Sequence, residues 1–176
     1  MSKAVHSFLF IALTTAAAST LSVIGGLSIE SVSDRLLPLV PLLIATPALN
    51  NLVGDYAAII AAHTGDPSER ERSKAELARI IFRILSLNIV AIISLSVIFA
   101  VMRDYLFTPT FVVKFVVFVT SAITTVVVFL FGLSAFLDRV LLHRKMNPDD
   151  LLIPIVTSVG DLLMLVLVAL AVLLIF

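Results

Sequence analysis

The sequence predicts an all-α integral membrane protein with five transmembrane helices, and three observations carry that reading. Of 176 residues, 60% are hydrophobic and 14% charged, where a soluble domain carries roughly 25% charged residues. Five stretches, near 5–29, 36–63, 77–102, 110–138 and 151–176, are each long and apolar enough to cross about 30 Å of hydrocarbon, which takes about 20 helical residues. The connections between them are short, so the chain is expected to be a multi-pass protein with no soluble domain, doing its work inside the bilayer.

Span one follows Lys3 and contains Ala16, Ala17 and Ala18, as a secretory signal would, but its apolar run continues to Ile29 and is too long for a signal h-region. Its Thr14, Thr15, Ser19, Thr20, Ser22, Gly25 and Gly26 predict close helix packing, as do Thr120, Ser121, Thr124 and Thr125 of span four. Span two holds Pro38, Pro41 and Pro47, and span three a lone Asn88 that reads as interhelical glue. Arg83 and Lys114 sit near span ends and are expected to snorkel to the headgroups.

The second connection, HTGDPSERERSKAELAR, predicts an interfacial helix start at Asp66–Pro67 and a capping box from Ser73 to Glu76. Before span five, Asn147 and Pro148 end one element, while Asp149 and Asp150 complement the N-terminus of the next. Orientation follows from the basic residues. Lys3, Arg70, Arg72, Lys74, Arg79, Arg139, Arg144 and Lys145 fall on one side and Arg35 and Arg103 on the other, which predicts a cytoplasmic N-terminus and Phe176 outside, in the plasma membrane.

Composition excludes several functions. Twelve basic and twelve acidic residues balance to zero formal charge, which gives no long-range attraction for nucleic acid. With no cysteine there is no disulfide, thiolate metal site or thiol nucleophile. No serine–histidine–acid arrangement, phosphate loop or HExxH occurs, so an enzyme is not expected, nor is any cofactor. His6, His63 and His143 fall at the cytoplasmic boundary as plain interfacial residues. Twelve Phe with no Trp read as scattered lipid and packing contacts.

Two carboxylates stand out, because an ionisable group near the bilayer centre costs about 2.5–3.5 kcal/mol on insertion scales and persists as a site, a relay or a buried pair. Asp55 and Asp161 both end a Val-Gly-Asp tripeptide, 53–55 and 159–161, with Pro47 seven residues before Gly54 and Pro154 six before Gly160. Asp55 lies eight residues from the inner end at His63 and Asp161 ten from that at Leu151, about 12 and 15 Å at 1.5 Å per residue. Both therefore lie near the midplane on antiparallel helices, as a shared site requires.

Residues four apart share a helical face, which joins Asn51 to Asp55 and Thr157 to Asp161. Asn50 and Thr46 add oxygens, the glycine before each Asp lets a backbone or hydrated ion approach, and the prolines free carbonyls. An oxygen-only donor set suits magnesium, calcium, manganese or sodium, and magnesium best where water stays between ion and protein. The competing reading is a protonated Asp hydrogen-bonded to a hydroxyl of another span.

The stretch NPDDLLIPIVTSVGDLLML, 147–165, is similar to the last-helix pattern of the MgtE magnesium channels and their eukaryotic solute-carrier relatives, and PLLIATPALNNLVGDYAAIIAAHTGD, 41–66, resembles their second-helix motif. The resemblance covers the whole chain, read as one MgtE-like membrane domain, 1–176, without the cytosolic N-terminal and CBS domains of bacterial members. It implies a homodimeric pore near the two-fold axis, lined by spans two and five. Asp161 would bind hydrated magnesium there, with Thr157 as a lining position. The family's pore Gly-Asn pair is nearest here to Asn50 and Asn51, preceded by Ala48 and Leu49, and either Asn is a candidate. Asp55 is an additional carboxylate.

The metal set is thus Asp161, Asp55, Asn51, Asn50 and Thr157, in a divalent cation channel or transporter, most simply for magnesium. The partners expected are the cation, the lipid bilayer and a second copy of the chain. A proton- or sodium-coupled exchanger and a non-transporting membrane subunit are the alternatives. Dependence of flux on an imposed gradient tests the first, and tolerance of Asp161→Asn the second.

Overall fold

The structure is a computed structural model describing the backbone of residues 3–65, 74–143 and 149–176, and the side chains of 12–60, 78–137, 139, 140 and 152–176. The Asp66–Pro67 helix start, the Ser73–Glu76 box, the Asn147–Pro148 break, the capping carboxylates of Asp149 and Asp150 and the three histidine side chains lie outside the described residues. Among the described residues six helices follow in order: α1 (Lys3–Glu30), α2 (Ser33–Leu36), α3 (Val40–Gly65), α4 (Lys74–Val101), α5 (Pro109–His143) and α6 (Asp149–Leu174). All but α2 contain a stretch long and apolar enough to cross a membrane. A helix satisfies its own backbone groups where no water can, and no strand occurs among the described residues.

The second span starts later than the sequence alone suggests. Pro38 has no N–H to continue the helix that Ser33 begins, so α2 stops at Leu36 and α3 starts at Val40. The intervening corner is anchored by the buried side chains of Val32 and Leu36. Pro47 and Pro154 are accommodated inside α3 and α6. At the far end of α4 the amides of Tyr105 and Asp104 donate to the carbonyls of Ala100 and Val101, both at 3.0 Å. These are the two bonds of a Schellman ending, with Asp104 in the left-handed position at φ 56°.

Helix α6 is central and packs against α1, α3 and α5, while α3 also meets α4 and α5. The core consists of apolar stripes at helical spacing: Leu49, Val53, Tyr56 and Ile60 of α3, Val119, Ile123, Val126 and Leu130 of α5, and Val156, Met164 and Val168 of α6, all at most 1% exposed. Asn88 donates from Nδ2 to Tyr56 Oη at 3.3 Å, joining α4 to α3 as an interhelical bond was expected to do. Arg83 is exposed. Lys114 does more than snorkel. Its Nζ donates to the Ile175 carbonyl at 2.7 Å, tying the start of α5 to the end of α6, where a cation complements the helix dipole.

Two expectations about packing are refined. Helix α1 packs closely on α6, as expected; among its described side chains Gly25 alone is buried, and a Cβ there would meet Leu165 Cδ1 at 2.9 Å and Leu162 Cα at 3.4 Å. Thr20 and Ser22 instead donate to the Ala16 and Ala18 carbonyls of their own helix, and Thr120, Ser121, Thr124 and Thr125 are all exposed. A hydroxyl can satisfy its donor on the preceding turn of the same helix, so small polar residues do not by themselves mark an interface. Nor are the phenylalanines simply scattered. Tyr105, Phe107, Phe111, Phe115, Phe118 and Phe176 form a continuous ring cluster at one end of α5 and α6, with centroids 5.1–6.3 Å apart. Burial in it raises the Tyr105 phenol pKa above its ordinary value.

Candidate cation site between α3 and α6

The two Val-Gly-Asp tripeptides meet where α3 crosses α6, and their glycines serve different purposes. A Cβ on Gly160 would lie 2.7 Å from Val53 Cγ1 and 3.1 Å from Leu130 Cδ1. Gly160 is therefore a packing position where α3 and α5 close on α6, and it offers no room to an ion, contrary to the expectation for both glycines. At Gly54 the same construction finds a single neighbouring atom, Asp161 Oδ1 at 3.8 Å. The Asp161 carboxylate faces the bare backbone of α3 and is half-buried.

Positions follow from the helical repeat. Asn50 lies one turn before Gly54 and shares its face. Asn50 is half-buried, and its Oδ1 is buried without a hydrogen-bond partner. A buried carbonyl oxygen left without a donor costs about 1–3 kcal/mol, and donors or a cation supply what it lacks. Thr157 lies one turn before Asp161. Its hydroxyl proton is directed to the Ile153 and Pro154 carbonyls, at 2.8 and 3.1 Å, which leaves oxygen lone pairs free to accept. Spans two and five of an alternating series run in opposite directions, so Asn50 and Thr157 lie on opposite sides of the Gly54–Asp161 contact. The result is a seam of three oxygen-bearing side chains at levels about 6 Å apart.

Asp55 and Asn51 occupy another side of α3. Both are exposed, and with Ala48 and Ile59, also exposed, they form an outward stripe. Thr46 lies one turn before Asn50 on the same face of α3, but unlike Asn50 it is buried, with its hydroxyl donated to the Leu42 carbonyl at 2.8 Å. Among the described residues, no three His, Cys, Asp or Glu side chains come together as a metal cage. The fold sets Asp161 against Gly54, with Asn50 one turn from Gly54 and Thr157 one turn from Asp161, and leaves Asp55 and Asn51 on an exposed face of α3.

Comparison with curated proteins finds no match, and comparison with solved structures finds none either. The family model for MgtE, a divalent cation transporter, matches residues 40–171. That match begins at the first residue of α3 and ends three residues before the end of α6, so it takes in both Asp-bearing helices and the seam between them. The chain is a multi-pass membrane protein and belongs to the MgtE family of divalent cation transporters.

Proposed function

We propose that the chain forms a homodimeric pathway for divalent cations, magnesium foremost, in the plasma membrane, with Asp161, Asn50 and Thr157 lining it and Asp55 and Asn51 on the face turned to the second copy. The observation that carries the reading is the Asp161 carboxylate against the bare backbone at Gly54, between two further oxygen donors on the seam. A magnesium ion reaches its direct ligands at about 2.0–2.1 Å, so donors at successive levels about 6 Å apart meet a passing ion in turn through its water shell. A hydrated cation suits the arrangement better than a bare one.

The dimer is supported by Asp55. A carboxylate near the bilayer centre turned to lipid costs about 2.5–3.5 kcal/mol, yet Asp55 and Asn51 are exposed in the single chain. A second copy apposed on this face, with water between, removes that cost and adds negative charge where a cation passes. With the N-terminus in the cytoplasm, as the basic residues favour, an inside-negative potential drives uptake. The gain is about 2.3 kcal/mol per charge per 100 mV, twice that for a divalent ion.

The test is magnesium entry into liposomes holding the purified chain, with no proton or sodium gradient, beside the Asp161→Asn variant. The parent is expected to conduct and the variant to lose most of its flux. Flux that appears only with an imposed proton or sodium gradient identifies an exchanger. An Asp161→Asn variant that conducts like the parent removes Asp161 from the pathway.

A further inference from the structure

Helix α1 precedes the stretch that matches the MgtE family model, 40–171, yet it lies against the helix that carries Asp161. The two come close at Gly25. A Cβ there would stand 2.9 Å from Leu165 Cδ1 and 3.4 Å from Leu162 Cα, so at this level α1 presents bare backbone to α6. Leu162 follows Asp161 in the chain, and Leu165 lies one turn further on along the same face as Asp161. The Gly25 carbonyl also accepts from the Ser28 hydroxyl at 2.6 Å, so the polar groups of this turn are satisfied within α1 and its hold on α6 is one of packing.

Three consecutive residues of α6 thus meet three different surroundings. Gly160 packs under Val53 of α3 and Leu130 of α5, Asp161 turns Oδ1 toward Gly54 of α3, and Leu162 lies under Gly25 of α1. Each residue advances around a helix by about 100°, so the way from α3 to α1 around α6 passes over Asp161. The carboxylate, half-buried, occupies the cleft between those two helices. How closely α1 approaches α6 sets the width of that cleft. Gly26 provides the contrast, since it is exposed and a Cβ there would meet no atom within 4 Å.

We infer that Gly25 is a positioning residue for the cation site: it seats α1 beside Asp161 as a wall of the cleft and so fixes the clearance for a hydrated ion, with the assignment of Asp161 to the pathway as the premise. Magnesium gives up its waters reluctantly, whereas calcium accepts more oxygens in a looser geometry. A cleft of fixed width discriminates between the two by the water each carries.

Paired magnesium and calcium entry into liposomes, measured for the purified full chain and its variants beside thermal unfolding in detergent, tests this. The parent is expected to pass magnesium in preference to calcium. Gly25→Leu, too large for the contact, is expected to lift α1 and reduce that preference severalfold, whereas Gly26→Ala on the open side of the same helix keeps the parent ratio. Adding Leu165→Ala to Gly25→Leu exchanges volume across the contact and should return the ratio toward the parent's, which a general loss of stability would not explain. Equal passage of the two ions by the parent, or a Gly25→Leu variant whose two fluxes fall by the same factor, overturns the inference. Should Gly25→Leu fail to fold, Leu165→Ala alone decides, because it loosens the same contact without a clash. An unchanged ratio in that variant refutes the role of Gly25. An Asp161→Asn variant that conducts like the parent is a different failure, that of the premise, and removes the inference with it.

Discussion

Asp161 Oδ1 lies 3.8 Å from where a side chain on Gly54 would begin, so a carboxylate on one membrane helix faces the backbone of another. That contact makes the seam between α3 and α6 polar, and it separates two glycines that are equivalent as sequence.

Substituting each glycine by alanine is expected to give opposite outcomes. Gly160→Ala drives a methyl into Val53 and Leu130, whose atoms stand 2.7 and 3.1 Å away, and should cost about 1–3 kcal/mol of stability. Gly54→Ala makes ordinary contact at 3.8 Å and should hold or slightly raise the melting temperature, since alanine favours a helix over glycine by about 0.5–1 kcal/mol. Its methyl dries the carboxylate and should reduce magnesium flux. Thermal unfolding in detergent, run beside liposome flux, checks both. Equal loss of stability in the two variants contradicts the assignment.

The two asparagines are expected to differ as well. Asn50→Leu removes a buried oxygen that lacks a partner and should stabilise the fold by up to about 1–3 kcal/mol while lowering magnesium flux. Asn51→Leu changes an exposed residue and should leave the melting temperature of the single chain unaltered. A destabilised Asn50→Leu variant would show that its amide is already satisfied.

Because the chain contains no cysteine, single-cysteine variants report directly on the dimer. Ala48→Cys and Asn51→Cys, on the exposed stripe of α3, are expected to cross-link between copies under mild oxidation or with a short bismaleimide. Leu87→Cys on α4, at a position equally open at 72% exposure, should not. A disulfide needs Cα atoms within roughly 7 Å, so the reagent that succeeds measures the gap. Cross-linking through Leu87→Cys alone would move the dimer face to α4.

The Asn88–Tyr56 bond, at 3.3 Å, is expected to be structural. A double-mutant cycle of Asn88→Leu and Tyr56→Phe should give a coupling near the ~0.6 kcal/mol average for hydrogen bonds between membrane helices, with magnesium flux preserved in each variant. Flux lost without loss of stability would bring α4 into the pathway.

Much of this architecture was legible in the residues, though unevenly. The five spans were readable to within a few residues because hydrophobic length is a local property. Helix α3 starts at Val40 and not near residue 36 because Pro38 offers no N–H to carry a helix through it. Asp161 and Asp55 were conspicuous because charge at that depth is expensive. Thr46 shares a face of α3 with Asn50 but is buried, a difference in surroundings that no local pattern announces. The phenylalanine cluster was hidden because Phe176 joins Phe111 and Phe118 only through the packing of α5 on α6.

The sequence by itself determined five stretches long and apolar enough to cross a membrane, two of them carrying a carboxylate within the apolar run, since span length, breaker position and the cost of burying charge are properties of short stretches. Tertiary structure decided how each helix is turned about its axis. Within lipid, the side of a helix facing its neighbours is as apolar as the side facing acyl chains, so hydrophobic periodicity gives no rotational signal. Only close packing, Gly160 under Val53 and Leu130 and Gly25 under Leu165, sets the rotation that turns Asn50 inward with Gly54 and leaves Asn51 outside with Asp55.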